Sequence, residues 1–310
     1  MKLIFIGSGA LGLPTLRALA HQHQLLAVYT VPDRPAGRGY HLRPSPVKCE
    51  ALQLNLPLRQ PQRVNQAAEE IAALGPEALV VASFGQLLRP ALIEIPRLGT
   101  INLHASLLPA YRGAAPIQWA LLRGEPQTGV TTFLIDEGLD TGAILLQRAC
   151  DISSEDTAGT LETKLAELGA ELMLESLAGL ARGRIQPQPQ DEALVSYAPK
   201  IPKALARLDW SKPAVELANL IRALNPAPGA YTFYDGKRVK IYAGRVVKAA
   251  GERARPGEVI SVSTEGLLVM TGAGALELLE VQPESKPRMR AADFARGYRV
   301  RTGGSLGTKP

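Results

Sequence analysis

The amino-acid sequence predicts an α/β fold, in which a doubly wound, mostly parallel, Rossmann-like sheet is followed by a small, OB-like β-barrel. Two observations predict the sheet. Short apolar runs alternate with helical patterns over residues 1–150, and the first run ends in a glycine-rich turn. A third observation predicts the barrel, because short β-like runs beyond residue 230 are separated by Gly and Pro at short intervals.

The pattern predicts the elements in order along the chain. The first part has strands at 3–6, 25–30, 78–82, 100–103, 128–135 and 143–152, with helices at 11–19 and 157–181. A Pro/Gln-rich stretch at 185–191 predicts an extended linker. A helix at 213–224 then precedes strands at 230–234, 239–243, 259–262, 266–270 and 275–281. We therefore expect a first domain at 1–189, a linker at 190–208 and a basic β-barrel domain at 209–310.

Composition and charge favour a cytoplasmic protein whose second part binds anions. No apolar run approaches the ~20 residues that cross a bilayer, and the apolar start at 1–7 is too short for a signal segment. Cys49 and Cys150 are the only cysteines and lack CxxC spacing, which favours reduced thiols in the cytoplasm. Residues 1–190 are nearly neutral, so the net charge of +6 comes from the remainder. This asymmetry indicates either a nucleic-acid surface or charge that only confers solubility.

The turn after the first strand, residues 7–12 (GSGALG), fits the G-x-G-x-x-G pattern. Such a turn lets the phosphates of a dinucleotide approach a helix N-terminus. The acidic residue expected after the second strand is poorly placed, because Pro32 stands there and Asp33 lies in the loop. The alternative interpretation is a tight βα turn that any doubly wound sheet can contain.

Residues 31–48 form a connection that is long for an α/β unit, and long loops in compact domains tend to be functional. Arginines beside glycines suit the phosphate backbone of a nucleic acid, whereas the alternative is a solvated loop. The residues that favour a polyanion here are Arg34, Gly37, Arg38, Arg43 and Lys48.

Asn102 and His104 lie two residues apart at the end of a predicted strand, so both side chains point to one face. In doubly wound sheets, ligands bind beyond the carboxyl ends of the strands. An amide and an imidazole can donate hydrogen bonds to a developing oxyanion, and the imidazole can also move a proton. Alone, such a pair at a strand end more often has a capping role. The cysteines and the four histidines lack metal-ligand spacing, so no metal is expected.

The neighbours of this pair carry a family resemblance. Asn102, His104 and residues 106–109 (SLLP), with Asp140 in the stretch 136–142 (DEGLDTG), are similar to the signature of the 10-formyltetrahydrofolate-dependent formyltransferases. The resemblance extends to about residue 300 and implies formyl transfer from 10-formyltetrahydrofolate to an amine. It implies that Asn102 and His104 donate to the oxyanion, while Asp140 orients His104 and moves protons through water. It also implies that the G-x-G-x-x-G match is accidental.

The resemblance also assigns binding residues. Residues 81–88 are similar to the family's folate-pocket loop, although Phe84 and Leu87 equally fit ordinary core packing. The residues assigned to folate are Phe84, Gly85, Leu87, Ser106, Leu107, Leu108 and Pro109. Segments 32–39, 196–201, 206–210 and 221–226 resemble the branch of the family that formylates initiator methionyl-tRNA, which implies a tRNA-binding second domain. The residues assigned to this substrate are Leu11, Arg34, Gly37, Arg38, Arg43 and Lys48, and Leu11 stands where the family often has an aromatic side chain.

Other functions remain open on the residues alone. Formyltransferases that act on amino sugars or nucleotide precursors, and formyl-folate hydrolase domains, share the Asn102, His104 and Asp140 group. The basic second domain and the arginine-rich loop argue against both. A nucleic-acid-binding protein that holds a nucleotide in its α/β domain is the alternative from another class. No membrane and no obligate protein partner are expected.

Overall fold

A computed structural model describes residues 1–36, 41–248 and 254–307 of the chain, without the side chains of residues 36 and 41. Contacts divide the chain into two compact units. The first unit comprises Met1–Pro116, Gln127–Asp151 and Leu161–Pro199. The second comprises Ile117–Pro126, Ile152–Thr160 and the chain from Lys200 onward. The bounds expected from the sequence, 189 and 208, therefore stay predictions, because two short segments of the first 189 residues group with the second unit.

The first 199 residues contain nine strands and six helices among those that the structure describes. The strands are β1 (Lys2–Gly7), β2 (Gln24–Tyr29), β3 (Arg34–Ala36), β4 (His41–Arg43), β5 (Leu58–Arg59), β6 (Ala78–Ala82), β7 (Thr100–His104), β8 (Gln127–Leu134) and β9 (Ile144–Asp151). The helices are α1 (Leu13–Gln22), α2 (Pro46–Gln53), α3 (Ala68–Leu74), α4 (Pro90–Ile93), α5 (Pro116–Arg123) and α6 (Ala158–Ala181). No described helix is both long enough and apolar enough to cross a membrane.

The main sheet of the first unit has seven strands in the order β5-β2-β1-β6-β7-β8-β9. The strands from β5 to β7 are parallel, whereas β8 and β9 pair antiparallel. The chain leaves β1 in one direction to β2 and β5 and then returns to β6 on the other side. This reversal is the switch point at which doubly wound sheets open a crevice beyond the strand ends. The predicted Rossmann-like, mostly parallel sheet is confirmed.

Burial explains why the central strands form. All five residues of β6 are buried, and so is every residue of β1 from Leu3 to Ile6. Parallel strands that are covered on both faces have continuous apolar sequences, and both of these strands do. Helix α6 covers one face: a Cβ on Gly169 would lie 2.6 Å from Leu103, and the hydroxyl groups of Ser176 and Thr132 are 2.6 Å apart.

The second unit is built on an antiparallel sheet of six strands in its described part. Its elements from residue 200 onward are α7 (Ala214–Ala223), β10 (Ala230–Tyr234), β11 (Lys237–Val247), β12 (Val259–Val262), β13 (Leu267–Met270), β14 (Ala275–Pro283), β15 (Met289–Arg290) and α8 (Ala291–Tyr298). The strand order is β10-β11-β14-β13-β12, with β15 also paired to β14. The predicted antiparallel β-domain is confirmed, while closure into a barrel stays a prediction.

The connection at 31–48 differs from the loop that the sequence predicted. Strands β3 and β4 pair as a short antiparallel ribbon, and α2 begins at Pro46. Ser45 caps this helix by accepting a hydrogen bond from the backbone N–H of Lys48 at 3.0 Å. The strands of this pair are too short to show a period of two, and Pro and Gly residues around them are typical of a loop. The sequence analysis also did not recognise Ser45-Pro46 as the start of a helix.

Candidate active site

Strand β7 carries Asn102 and His104 to the carboxyl end of the parallel sheet. His104 is 6% exposed and Asn102 is half-buried, while Leu103 between them packs toward α6 on the opposite face. Among the described residues, the Asn102 amide has no hydrogen-bond partner. The structure therefore places both side chains on one face, as the alternation of the strand requires, and leaves the amide available to a ligand.

The His104 ring is held between two chain segments. Its Nε2 lies 2.9 Å from the carbonyl oxygen of Tyr111 and, because a carbonyl only accepts, Nε2 carries the proton of that hydrogen bond. Its Nδ1 lies 3.7 Å from Oδ2 of Asp140, an ion-pair distance when the ring is protonated. The same Oδ2 accepts a hydrogen bond from the backbone N–H of Gly113 at 2.8 Å. The structure thus brings together all three residues predicted to be catalytic.

Asp140 lies in a loop that is braced from within. Its φ is +55°, in the left-handed region that Asp adopts more readily than most residues. Oδ1 of Asp136 accepts hydrogen bonds from the N–H of Gly138 at 3.0 Å and from the Thr141 hydroxyl at 2.6 Å. These bonds shape the turn 136–142 before any ligand binds, so the Asp140 carboxylate is preorganised.

The glycine-rich turn after β1 is occupied by the backbone of Ser83. The backbone N–H groups of Ser8 and Gly9 and the Ser8 hydroxyl all donate to the carbonyl oxygen of Ser83, at 3.3, 3.2 and 2.7 Å. A Cβ on Gly9 would lie 2.7 Å from Cβ of Ser83. The amides that would cradle a pyrophosphate are therefore already bonded, and the glycine packs against the neighbouring loop. The turn is the tight βα connection of the alternative interpretation.

Leu11 in this turn is 5% exposed, so little of its surface is open to a substrate. Its backbone N–H donates a hydrogen bond to Glu162 near the start of α6. Burial raises the pKa of Glu162 above its ordinary value, and the hydrogen bond from Leu11 opposes that shift. No pattern in the sequence pointed to Glu162, because its partner Leu11 is more than a hundred residues away.

The chain after β6 lines a cleft within the first unit. Gly85 has a φ of +71°, which a residue with a side chain rarely adopts. Phe84 is 8% exposed and packs in an apolar cluster, whereas Leu87 is 69% exposed and lines a cleft of about 760 Å³. Polar side chains that also line it are Gln62, Arg63, Asn65, Arg89 and Glu137. Glu137 belongs to the loop that also contains Asp140, whereas Asn102, His104 and Asp140 themselves do not line this cleft.

The loop at 106–109 is held from β8 and β9. The Thr131 hydroxyl donates to the carbonyl oxygen of Ser106 at 2.7 Å and accepts from the N–H of Leu108 at 3.1 Å. The Gln147 amide donates to the carbonyl oxygen of Leu108 at 2.7 Å. Ser106 and Leu108 are buried, whereas Leu107 and Pro109 are half-buried. Leu107 and Pro109 are therefore more accessible to a ligand than Ser106 and Leu108.

The β3–β4 ribbon presents basic side chains. Arg34 and Arg43 are exposed and stand directly opposite each other in the strand register. Like charges in that arrangement repel each other, and a bound polyanion would relieve the repulsion. Lys48 instead forms an ion pair with Asp33, with Nζ 2.8 Å from both carboxylate oxygens. Gly37 and Arg38 lie outside the described residues.

Strand β11 is rich in basic residues, but part of its positive charge is already paired within the second unit. Arg245 forms ion pairs with Glu277 and Glu265, and Lys240 donates to the carbonyl oxygen of Pro228 at 2.6 Å. Lys237, Arg238 and Lys248 are exposed. Arginine–aromatic contacts, which the sequence analysis missed, lie on the neighbouring strand β10: Arg238 is 4.5 Å from the Tyr231 ring centroid and Arg207 is 5.5 Å from that of Phe233.

The described residues contain no group of three His, Cys, Asp or Glu side chains close enough together to hold a metal ion. The polar groups at the site are an amide, an imidazole and a carboxylate. They can donate hydrogen bonds to a negatively charged oxygen and relay a proton.

Comparisons with known proteins show which family the chain belongs to. Residues 1–177 match the family model for formyl transferase, and residues 200–299 match the model for its C-terminal domain. The chain is 45% identical over 312 residues to the methionyl-tRNA formyltransferase of Citrifermentans bemidjiense, covering 100% of this chain and 97% of that protein. It is 46% identical over 310 residues to the enzyme of the same name from Solibacter usitatus, covering 99% of each.

Solved structures share the fold at lower identity. An N-formyltransferase from Helicobacter canadensis, in complex with folinic acid and dTDP-3-aminofucose, aligns with a TM-score of 0.66 and 19% identity over 90% of this chain and 99% of that one. HypX from Aquifex aeolicus, in complex with tetrahydrofolic acid, aligns with a TM-score of 0.68 and 19% identity over 97% of this chain. This chain spans about half the length of HypX, at 48%. With both family models matched and full-length relatives above 40% identity, the chain belongs to the formyl transferase family.

Proposed function

We propose that this protein transfers the formyl group of 10-formyltetrahydrofolate to the α-amine of methionyl-tRNA, the initiator tRNA, for the initiation of translation. The observation that carries the proposal is the group of Asn102, His104 and Asp140 beyond the carboxyl end of β7, in a chain that shares 45% identity with a methionyl-tRNA formyltransferase over its whole length. The reaction needs an oxyanion donor and a route for one proton, and this group offers both.

The reaction forms one C–N bond and breaks another. The lone pair of the substrate amine attacks the formyl carbon, whose oxygen becomes an oxyanion. The Asn102 amide donates to this oxyanion, as does Nδ1 of a protonated His104, because Nε2 is committed to Tyr111. The amine loses a proton, which Asp140 receives through water, and N10 of the folate gains one as it leaves. No electron transfer is involved, and atoms and charges balance.

The cleft beside Leu87 is the proposed site for the folate. Its volume of about 760 Å³ lies in the range of small-molecule sites. It combines an exposed apolar side chain, Leu87, with amides and two guanidinium groups, Arg63 and Arg89. That mixture suits an aromatic ring system with a carboxylate-bearing tail. The adjoining loop with Glu137 leads from this cleft to Asp140.

The tRNA is the proposed source of the amine. The opposed arginines of the β3–β4 ribbon and the net positive charge of the residues beyond 190 both attract phosphates. We propose that the first unit is the catalytic domain and the second the tRNA-binding one. Both substrates are found in the cytoplasm, which is the location we propose, and neither the chemistry nor the binding calls for a second protein.

A product assay across acceptor classes tests this function. The purified protein is incubated with 10-formyltetrahydrofolate and with charged initiator tRNA, uncharged initiator tRNA, a nucleotide-linked amino sugar or water alone. We expect formyl-methionyl-tRNA with the charged tRNA, and background levels in the other reactions. Faster formylation of the amino sugar, or hydrolysis that ignores the acceptor, would overturn the proposed substrate. RNA binding without any formyl transfer would overturn the enzyme proposal itself.

A further inference from the structure

The segment expected to be a linker begins with a residue that is bonded to the catalytic loop. Gln190 donates through Nε2 to the carbonyl oxygens of Asp140 and Gly142, both at 2.8 Å. Its Oε1 accepts from Nε and Nη2 of Arg112, at 3.0 and 2.8 Å. One side-chain amide therefore joins the loop of Asp140 to the segment that follows residues 106–109. All of these residues belong to the first unit.

Arg112 is the buried partner in this network. It is only 1% exposed, and a buried guanidinium is costly unless acceptors surround it. Gln190 supplies one acceptor, and Glu192 supplies another at 2.8 Å. The backbone of Arg112 is also paired, since its N–H donates to Ser196 at 2.8 Å and its carbonyl accepts from Ala198 at 2.7 Å. Residues 190–198 are therefore packed into the first unit and do not form a free linker.

The two neighbours of Arg112 hold the catalytic side chains. Tyr111 provides the carbonyl oxygen that anchors Nε2 of His104, and Gly113 provides the N–H that binds Oδ2 of Asp140. Three consecutive residues thus contact the imidazole, the Asp140 carboxylate and, through Gln190, the Asp140 backbone. A shift of the Gln190 amide would be transmitted to both members of the His104–Asp140 pair.

The contact of Gln190 with the Asp140 loop matters because Asp140 has an unfavourable backbone conformation. A left-handed conformation in a residue with a Cβ costs about 1–2 kcal/mol and persists where the surroundings over-determine it. The two hydrogen bonds from Gln190 fix the peptide group that follows Asp140 and the one that follows Gly142. They therefore constrain the turn in which Asp140 has its φ of +55°. The neighbouring brace from Asp136 acts on Gly138 and Thr141, and does not reach the Asp140 carbonyl.

We propose that Gln190 is a positioning residue for the formyl transfer, which holds Asp140 in the conformation that directs its carboxylate at His104. Arg112 orients the Gln190 amide by occupying its oxygen, so that the nitrogen faces the loop. The proposal rests on the proposed function for its kinetic consequence. Its structural part, the link between Gln190 and the His104 environment, stands on the contacts alone.

The test compares Gln190→Met with Gln188→Met. Gln188 lies two residues earlier, and its side chain bonds only to the carbonyl oxygen of Gln186, so it is a matched control. We expect Gln190→Met to lower kcat about 10- to 100-fold, the scale of a small misplacement of reacting groups. The KM values for tRNA and folate stay within about twofold, since neither substrate is proposed to touch Gln190. Gln188→Met keeps the wild-type kcat.

A second variant separates positioning from stabilisation of Arg112. Gln190→Glu keeps an acceptor for the Arg112 guanidinium but cannot donate to the Asp140 and Gly142 carbonyls. We expect its kcat to be as low as that of Gln190→Met, with thermal stability closer to wild type. Recovery of kcat in Gln190→Glu would show that Gln190 serves only to neutralise Arg112. If Gln190→Met does not fold, this variant carries the kinetic test.

The ring signals of His104 in ¹H–¹⁵N NMR spectra provide a readout that does not depend on turnover. We expect them to shift in Gln190→Glu and to stay in place in Gln188→Met. Unchanged signals and an unchanged kcat in both Gln190 variants would overturn the proposal. If the wild-type protein does not formylate methionyl-tRNA, the proposed function fails, and the ring signals alone decide whether Gln190 positions Asp140.

Discussion

His104 has its two ring nitrogens committed to different tasks. Nε2 is hydrogen-bonded to the Tyr111 carbonyl at 2.9 Å, which fixes the orientation of the ring, and Nδ1 faces Asp140 at 3.7 Å. The nitrogen available for chemistry is therefore Nδ1. The sequence predicted the residue and its partner but not the nitrogen, because the anchoring carbonyl lies in an irregular loop with no signature of its own.

At the same scale, Asn102 should act only in the transition state. Its amide is unpaired among the described residues, so Asn102→Ala removes an oxyanion donor without leaving a buried group unsatisfied. We expect kcat to fall about 100- to 1000-fold, as for the loss of one oxyanion donor, with KM and thermal stability nearly unchanged. Steady-state kinetics and thermal unfolding check this. A higher KM at constant kcat would indicate a role in binding rather than in catalysis.

His104→Ala should lose as much activity as Asn102→Ala. It should still bind tRNA, because the phosphate contacts are expected on other elements. His21→Ala is the matched control, since His21 is exposed in the last turn of α1 and far in sequence from the site. We expect wild-type kinetics from the control. Activity in His104→Ala comparable to that of His21→Ala would exclude His104 from the reaction.

At the scale of elements, regular strands were predicted well and short ribbons were not. The bounds of β6, β10 and β12 agree with the sequence prediction, because each is a continuous β-rich run bounded by turn residues. The β3–β4 ribbon has three residues per strand, too few for a period of two to be detected. The network of Arg112 and Gln190 was missed because its members are distant in sequence and joined only by the fold.

The β3–β4 ribbon should control tRNA affinity. Replacing both Arg34 and Arg43 by Ala removes two phosphate contacts, so the slope of log K against log salt should flatten by about 0.7–0.9 for each contact. We expect weaker tRNA binding with kcat at saturation close to wild type. A filter-binding titration at several salt concentrations measures the slope.

The matched control for this ribbon is the double variant Arg182→Ala and Arg184→Ala. Both arginines are exposed at the end of α6 and belong to the same unit, so the variant carries the same change in charge. We expect its slope to match that of the wild type. Equal flattening in both double variants would mean that net charge, and not the ribbon, attracts the tRNA.

The pairing of α1 with α2 should make stability depend on pH. Arg17 forms two hydrogen bonds with Glu50, at 2.7 and 2.8 Å, and these bonds lower the pKa of Glu50 below its ordinary value. A carboxylate with a lowered pKa contributes stability above its unfolded pKa and loses that contribution as the pH falls through its folded pKa. We expect Glu50→Gln to lower the free energy of unfolding by about 1 kcal/mol at pH 7.

This difference should shrink as the pH falls below 4.5, the ordinary pKa of a glutamate. Urea unfolding at pH 7 and pH 3 measures it, and Glu94→Gln is the control because Glu94 is exposed and outside any described ion pair. A difference between wild type and Glu50→Gln that is the same at both pH values would contradict the assignment of the stability to the charged pair.

At the scale of the whole molecule, the sequence predicted the two kinds of sheet and their order along the chain. It could not predict how strands far apart in sequence become neighbours. The order β2-β1-β6-β7 places the turn after β1, the loop after β6 and His104 at one edge of the sheet. That order explains why Ser83 fills the glycine-rich turn, which the sequence alone left open to a dinucleotide.

The sequence predicted that the second part of the chain is positively charged. It did not predict which basic side chains are paired within the unit. Arg245 and Lys240 are satisfied within the unit, while Arg238 and Arg207 lie against aromatic rings on β10. Both rings, Tyr231 and Phe233, are half-buried, so these guanidinium groups are held against the sheet. Cross-strand partners depend on register, which composition does not reveal.

The most direct test of the proposed active site is a single-turnover measurement of formyl transfer to methionyl-tRNA by the wild-type protein and by Asp140→Asn. Asn retains an acceptor for the Gly113 N–H and tolerates the left-handed backbone, so the substitution removes the charge and leaves the loop in place. We expect an unchanged Kd for methionyl-tRNA and a transfer rate at least about 100-fold lower. Wild-type transfer rates in Asp140→Asn would contradict the assignment of the active site.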